Sequence, residues 1–140
     1  MQFQVEGSSP AGLQTRWEVS SHDLSPIPCA IPPEFRGPGG AYSPEDLLGL
    51  AAISCLIATF KVFASLSSLS FEEIRAAATI VVDRLQGKAA AITELRITLH
   101  VIGASDKEMA LKLLEESKKN CLVTSSLNIE KSYQFEVSTE

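Results

Sequence analysis

Basic residues are few and scattered in this chain, and that scarcity excludes a class of partner. The 140 residues carry 12 Lys and Arg against 17 Asp and Glu, a formal charge of −5, with no cationic cluster to track a phosphate backbone. Nucleic acid is therefore not an expected partner. Histidine is limited to His22 and His100, far apart and unpartnered by motif. The three cysteines form neither a CxxC pair nor a Cys/His cluster, so no metal and no other cofactor is expected. The start, Met1-Gln2-Phe3-Gln4-Val5-Glu6, lacks the basic flank and apolar centre of a secretory signal, and the default expectation is cytoplasmic. In a reducing compartment three cysteines do not read as a structural disulfide framework. The longest uncharged apolar run, Leu47 to Phe60, stops at Lys61 and is shorter than the roughly 20 residues of a bilayer span. It reads as a buried helix, with no membrane partner.

What is present is a large apolar fraction, 45%, enough for one sizeable core, and one domain over residues 1–140 is expected, without linker or repeat. Residues 2–21 alternate as strands do, at Phe3/Val5 and at Leu13/Trp17/Val19, with Gly7-Ser8-Ser9-Pro10 as the turn signal. Between Pro26 and Gly40 stand Pro26, Pro28, Pro32, Pro33, Pro38 and three glycines, which predict an ordered surface loop. Ser43-Pro44-Glu45-Asp46 then starts a helix. The Ser43 hydroxyl caps free N–H groups, Pro44 fits the first position, and both carboxylates favour the positive helix end. The helix runs to about Leu66, and being apolar on nearly all sides it needs cover from several directions.

Ile74–Val82 and Ile92–Ile102 read as a second strand pair joined by the polar segment Asp83–Ala91, although Ala76-Ala77-Ala78 also suits a helix. Asp106–Lys119 is a second helix, with Met109, Leu113 and Leu114 facing inward, and Tyr133–Val137 closes the chain as a strand. The order is β-β-α-β-β-α-β, a two-layer α+β arrangement around a central buried helix.

That helix carries Cys55, and Cys121 follows the second helix. Two thiols distant in sequence that can meet in a fold suggest redox chemistry. The segment Gly39-Gly40-Ala41-Tyr42-Ser43-Pro44-Glu45-Asp46-Leu47-Leu48, leading through Ala51-Ala52-Ile53-Ser54 to Cys55, resembles the OsmC/Ohr family pattern of glycines, Asn-Pro-Glu-x-Leu and a small-residue helix ending in Ala-Cys. Cys121-Leu122-Val123-Thr124-Ser125-Ser126-Leu127 resembles that family's Cys-Pro-Val-Ser-x-x-Leu. The resemblance implies a thiol peroxidase for organic or hydrogen peroxides, built as an intertwined homodimer with active sites at the subunit interface. By position, Cys55 would be the peroxidatic and Cys121 the resolving cysteine, with an external dithiol as reductant.

Burial raises a thiol pKa, so Cys55 needs a stabilising charge or dipole. The resemblance implies an arginine paired with Glu45. Arg36, in the Pro/Gly loop, is preferred as a planar and permanent cation, with Arg16 the alternative. Glu45 and Cys55 are ten residues apart, about 15 Å along one helix. Either the helix begins later than Ser43 suggests, or Glu45 serves a partner subunit. Two departures from the pattern stand out: Ser43 for Asn, which keeps a cap, and Leu122 for proline, which restores an N–H donor. A helix N-terminus after Asn120 would lower the Cys121 pKa. Cys29 matches no family position and is expected to be exposed and incidental. Trp17 and Tyr42 fit a core edge as well as a peroxide pocket. The plain alternative for Cys55 is core packing. Two other functions suit the same fold: binding a small hydrophobic ligand without catalysis, and slow redox sensing.

Overall fold

The strand β5 (Ala90–Ala104) organises the larger of the two units into which the chain divides, Gly49–Glu140. The computed structural model describes residues 1–84, 86–87 and 89–140. β5 lies between an antiparallel β4 (Glu73–Arg84) and a parallel β6 (Glu130–Thr139). Period-two alternation sets its faces: Leu95, Ile97, Leu99 and Val101 are at most 2% exposed, while Arg96, Thr98 and His100 point the other way. Ala76, Ala77 and Ala78 are strand, not helix, because they pair with Leu99, Thr98 and Ile97. The expected connection loses residues at both ends to the longer strands, and Leu85 and Lys88 within it lie outside the described residues. The parallel β5–β6 pair requires a crossover. It is supplied by α2 (Lys107–Asn120) and the single turn α3 (Leu122–Ser125). Asp106 caps α2 by accepting the Met109 N–H at 3.0 Å, and Leu113 and Leu114 are buried as expected.

The long helix α1 (Pro44–Leu66) starts where the cap residue is. Ser43 Oγ accepts the Asp46 N–H at 3.1 Å and Asp46 Oδ2 accepts the Ser43 N–H at 2.9 Å, a reciprocal capping box. Its buried residues, Gly49, Ala52, Leu56, Phe60 and Ala64, form one stripe. From Ala52 onward this stripe joins the β5 side chains and Leu114 in a single core, with the Phe60 ring edge-on to Phe71 at 5.3 Å. At Gly49 a Cβ would lie 2.4 Å from Ile80 Cδ1, so glycine permits the close approach of helix and sheet. The opposite face, with Ala51, Ser54, Ala58 and Val62, is exposed. At 23 residues the whole helix is long and apolar enough to cross a bilayer by length and composition, although 47–60 alone is not. Its buried stripe is instead committed to the sheet.

The smaller unit, Met1–Leu48, holds a three-stranded antiparallel sheet in the order β1 (Glu6–Ser8), β2 (Trp17–Ser20), β3 (Ile27–Cys29). Two sequence expectations change here. Phe3 and Val5 lie before the first strand and are exposed, whereas Gly7 and Ser8 pair with Val19 and Glu18. The turn falls later, where the Thr15 hydroxyl donates to the Gly12 carbonyl at 2.7 Å. The Pro-rich stretch contains β3, which tolerates Pro28 because it is an edge strand, and a 3₁₀ turn at Pro33–Phe35.

Candidate active site

Cys55 sits on α1 at the border between the buried stripe and the open face, half-buried. Cys121 is fully buried at the junction of α2 and α3, its N–H donated to the Ser117 carbonyl at 2.9 Å. The fold brings these two thiols, 66 positions apart in sequence, into hydrogen-bonding reach of each other.

Their environments push them in opposite directions. Burial works against the Cys55 thiolate, but the Cys121 thiol, the Val123 N–H and the Leu122 N–H lie within donating reach and lower its pKa below the ordinary thiol value. The Thr59 hydroxyl adds to the same effect, although its proton is engaged at 2.8 Å by the Cys55 carbonyl. Cys121 is pushed up, first by burial and then by its neighbour Cys55, and the Thr124 hydroxyl and amide offset this only in part. The expectation that a helix N-terminus lowers the Cys121 pKa is therefore corrected. Two of the first-turn amides of α3 serve Cys55 instead, and burial of Cys121 outweighs the rest. Cys55 is the thiol poised to ionise, and Cys121 the one that holds its proton.

Leu122 has a specific part in this. It is the first residue of α3, its side chain is exposed, and its N–H has no backbone acceptor among the described residues. Proline suits such a position, and Cys121 already has the extended backbone (φ −67°, ψ 114°) that precedes proline. Leu122→Pro is thus expected to leave Tm nearly unchanged while removing one donor from Cys55. The pH midpoint of Cys55 alkylation, measured by mass spectrometry, should rise. An unchanged midpoint would show that this amide does not act on the thiolate.

The remaining site candidates belong to the Met1–Leu48 unit. Arg36 is exposed and left-handed (φ 67°), and its carbonyl accepts the Gln14 side-chain amide at 2.9 Å. Arg16 is also exposed. Its Nη2 lies against Gly40, where a Cβ would stand 2.7 Å from it, so glycine with φ +73° makes room for the guanidinium. Glu45 is half-buried, with Oε2 enclosed and without a hydrogen-bond partner among the described residues. Among the described residues neither arginine forms an ion pair with Glu45. Cys29 is fully buried in β3, not exposed. Its Sγ lies 3.7 Å from the Ile27 carbonyl, and burial raises its pKa. Trp17 is half-buried opposite Cys29, and Tyr42 is 46% exposed and bridges Cys29 through its backbone.

Two residues near the thiols escaped the sequence reading. Thr124 is 1% exposed and occupies the Ser position of the second motif, a signal that was present but had no role attached to it. Tyr133, on the inner face of β6, was readable only as strand alternation; its pKa is raised by burial, and it also feels Thr124 and Cys121.

The family profile of the OsmC-like proteins matches residues 37–137, which include α1, both thiols, β4, β5 and all but the last two residues of β6. The uncharacterized protein YmaD of Bacillus subtilis is 23% identical over 139 residues, covering 91% of this chain and 93% of its own. Among solved structures, an OsmC-like protein of unknown function from Vibrio cholerae superposes with a TM-score of 0.83 at 14% identity, over 96% of this chain and 99% of its own. An organic hydroperoxide resistance protein OsmC from Legionella pneumophila does so at 0.77 and 18%, over 99% of both chains. These structural likenesses show the fold, an α+β arrangement shared along nearly the whole chain. With the profile spanning most of its length, this chain belongs to the OsmC-like protein family.

Proposed function

We propose that this chain is a thiol-dependent peroxidase that reduces organic hydroperoxides or hydrogen peroxide through Cys55 and Cys121. The observation that carries the reading is the pair of thiols in mutual reach with pKa values displaced in opposite directions. A peroxidatic cysteine must be thiolate at neutral pH, and its resolving partner must be near and slower to ionise. The Cys55 thiolate attacks one peroxide oxygen, the O–O bond breaks, and the alcohol or water leaves after taking up a proton. Cys55 becomes a sulfenic acid. Cys121 then attacks that sulfur, the S–O bond breaks, water leaves, and a Cys55–Cys121 disulfide forms. An external dithiol restores both thiols by exchange, which suits a reducing, cytoplasmic setting. The similarity to an organic hydroperoxide resistance protein of Legionella pneumophila favours organic hydroperoxides as substrates.

The active form is proposed to be a homodimer. The apolar window of α1 is only 28% buried within one chain, and a helix without charge between Asp46 and Lys61 does not leave such a face to water. Because α1 begins at Pro44, the later helix start is excluded, and ten residues still separate Glu45 from Cys55. Glu45 therefore serves the partner subunit by holding an arginine of its own chain, Arg36 or Arg16, which pairs with its enclosed Oε2 and is presented to the partner's Cys55. The position of Arg16 against Gly40, three residues before the α1 cap, favours Arg16.

Cumene hydroperoxide consumption with dithiothreitol as the only reductant tests the proposal. Many equivalents per subunit are expected with the dithiol, and far fewer with a monothiol, which opens the disulfide but does not close on itself. If neither reductant supports consumption, the peroxidase reading is wrong, and binding of a small hydrophobic ligand becomes the better account.

A further inference from the structure

A buried hydroxyl without a hydrogen bond is costly, and native structures keep one where it has a use. Around the two thiols nearly every hydroxyl is engaged with a main-chain carbonyl. Thr59 Oγ1 donates to Cys55 at 2.8 Å, Ser117 Oγ to Leu113 at 2.6 Å, Ser125 Oγ to Cys121 at 2.6 Å, and Ser126 Oγ to Leu122 at 2.7 Å. Thr124 is the exception. It is 1% exposed, and its Oγ1 completes no hydrogen bond among the described residues, although Cys121 and Tyr133 lie within its reach.

Its place on the backbone gives the reason. Cys121 is the N-cap of α3 and Thr124 is the third residue of the turn, the position whose side chain turns back toward the cap residue. In an ordinary capping box it would bind the cap N–H, but that N–H is already donated to Ser117. What remains at the cap is the Cys121 sulfur. We propose that Thr124 is a positioning residue for the resolving step, its hydroxyl held in reserve as the hydrogen-bond donor to the Cys121 thiolate that forms when Cys121 attacks the oxidised Cys55.

The inference rests on the peroxidase reading and adds a residue to it. In the reduced pair Cys121 keeps its proton, so the hydroxyl has no anion to bind. When peroxide has converted Cys55 to a sulfenic acid, Cys121 gives up its proton and its sulfur attacks. The S–S bond forms as the S–O bond breaks, and the departing hydroxide takes a proton to leave as water. A neutral donor that strengthens its bond to sulfur only as charge develops favours that step without stabilising the resting state. The titratable and charged groups around Cys121 are Cys55 from α1, Tyr133 from β6, and, beyond the Tyr133 ring at 4.9 Å from its centre, Lys118 of α2. The Tyr133 phenol lies near Thr124 and can supply the next donor in line.

Thr124→Val removes the hydroxyl at nearly constant volume, and Thr124→Ser restores it. In a Cys55→Ser background the ionisation of Cys121 is followed by its ¹³Cβ shift, a readout that needs no peroxide. Cys121 is expected to titrate at higher pH in the valine variant than in the parent, and at the parental pH in the serine variant. With Cys55 present, stoichiometric cumene hydroperoxide should form the sulfenic acid at the parental rate in Thr124→Val but close the disulfide about tenfold more slowly, the loss of one bond to a charged group. Tm should hold or rise, because an unpaired buried hydroxyl has been removed. An unchanged Cys121 midpoint in Thr124→Val overturns the proposal, as does disulfide closure at the parental rate, or a fall in Tm as the only effect. If peroxide fails to oxidise Cys55 in the parent protein, the peroxidase reading falls, while the titration still decides the role of Thr124.

Discussion

Replacing Cys55 by serine is expected to bring peroxide consumption to the uncatalysed background, whereas replacing Cys121 by serine leaves one rapid turnover per subunit followed by a stall. A serine hydroxyl ionises far above neutral pH and lacks the polarisable sulfur, so the donors around position 55 would have no anion to stabilise. In Cys121→Ser the nucleophile survives with a serine hydroxyl where the thiol donated, whereas Cys121→Ala also removes that donor while the other donors remain. The first turnover of Cys121→Ala is therefore expected to be slower at low pH than in the parent and close to it at high pH. The sign follows from the lowered pKa: Cys55 reactivity holds above that pKa and falls as pH drops through it, and losing one donor moves the fall upward. Stopped-flow consumption of one equivalent of cumene hydroperoxide across pH checks both statements. Equal multiple turnover in the two serine variants would remove the assigned roles.

The second large effect is expected at Ala58. It lies on α1 opposite the stripe of Gly49, Ala52, Leu56, Phe60 and Ala64, on the same face as Ala51 and Ser54. Small side chains on that face let a second copy of the helix approach closely. Ala58→Arg places a long charged group there without touching the core of its own chain. Light scattering should show the proposed dimer mass, about twice 15.1 kDa, fall to that of one chain. Far-UV circular dichroism should be retained. Turnover should fall by about 100-fold, since Glu45 and the arginine are proposed to complete the partner's site, and an opposite charge is worth 1–3 pKa units to a thiolate. A dimer that persists, or a monomer with full turnover, would contradict the shared site.

The parts of this fold that were legible in the sequence are those governed by local rules. Ser43-Pro44 marked the start of α1 because capping involves only neighbouring residues, and β5 was readable because each of its faces meets one environment. Ala76–Ala78 was ambiguous because alanine suits either element, and pairing with Leu99, Thr98 and Ile97 decided it. β3 was missed because Pro28 argues against a strand unless the strand lies at an edge, and edge position is a tertiary property. Of the candidate site, the two thiols were found from the motifs. Burial of Cys29 and Cys121 could not be read locally, and the direction assigned to the Cys121 pKa failed for that reason. Thr124 stood within a recognised motif, but only its burial beside Cys121 with an uncommitted hydroxyl reveals it.

The central claim is that Cys55 and Cys121 form one redox couple, and intact-mass analysis with peptide mapping after one equivalent of cumene hydroperoxide tests it most directly. A loss of two mass units and a Cys55–Cys121 cross-linked peptide in the native protein, with sulfenic acid trapped on Cys55 in Cys121→Ser, is the predicted result. Both thiols remaining reduced under peroxide that oxidises a reactive control protein would contradict it.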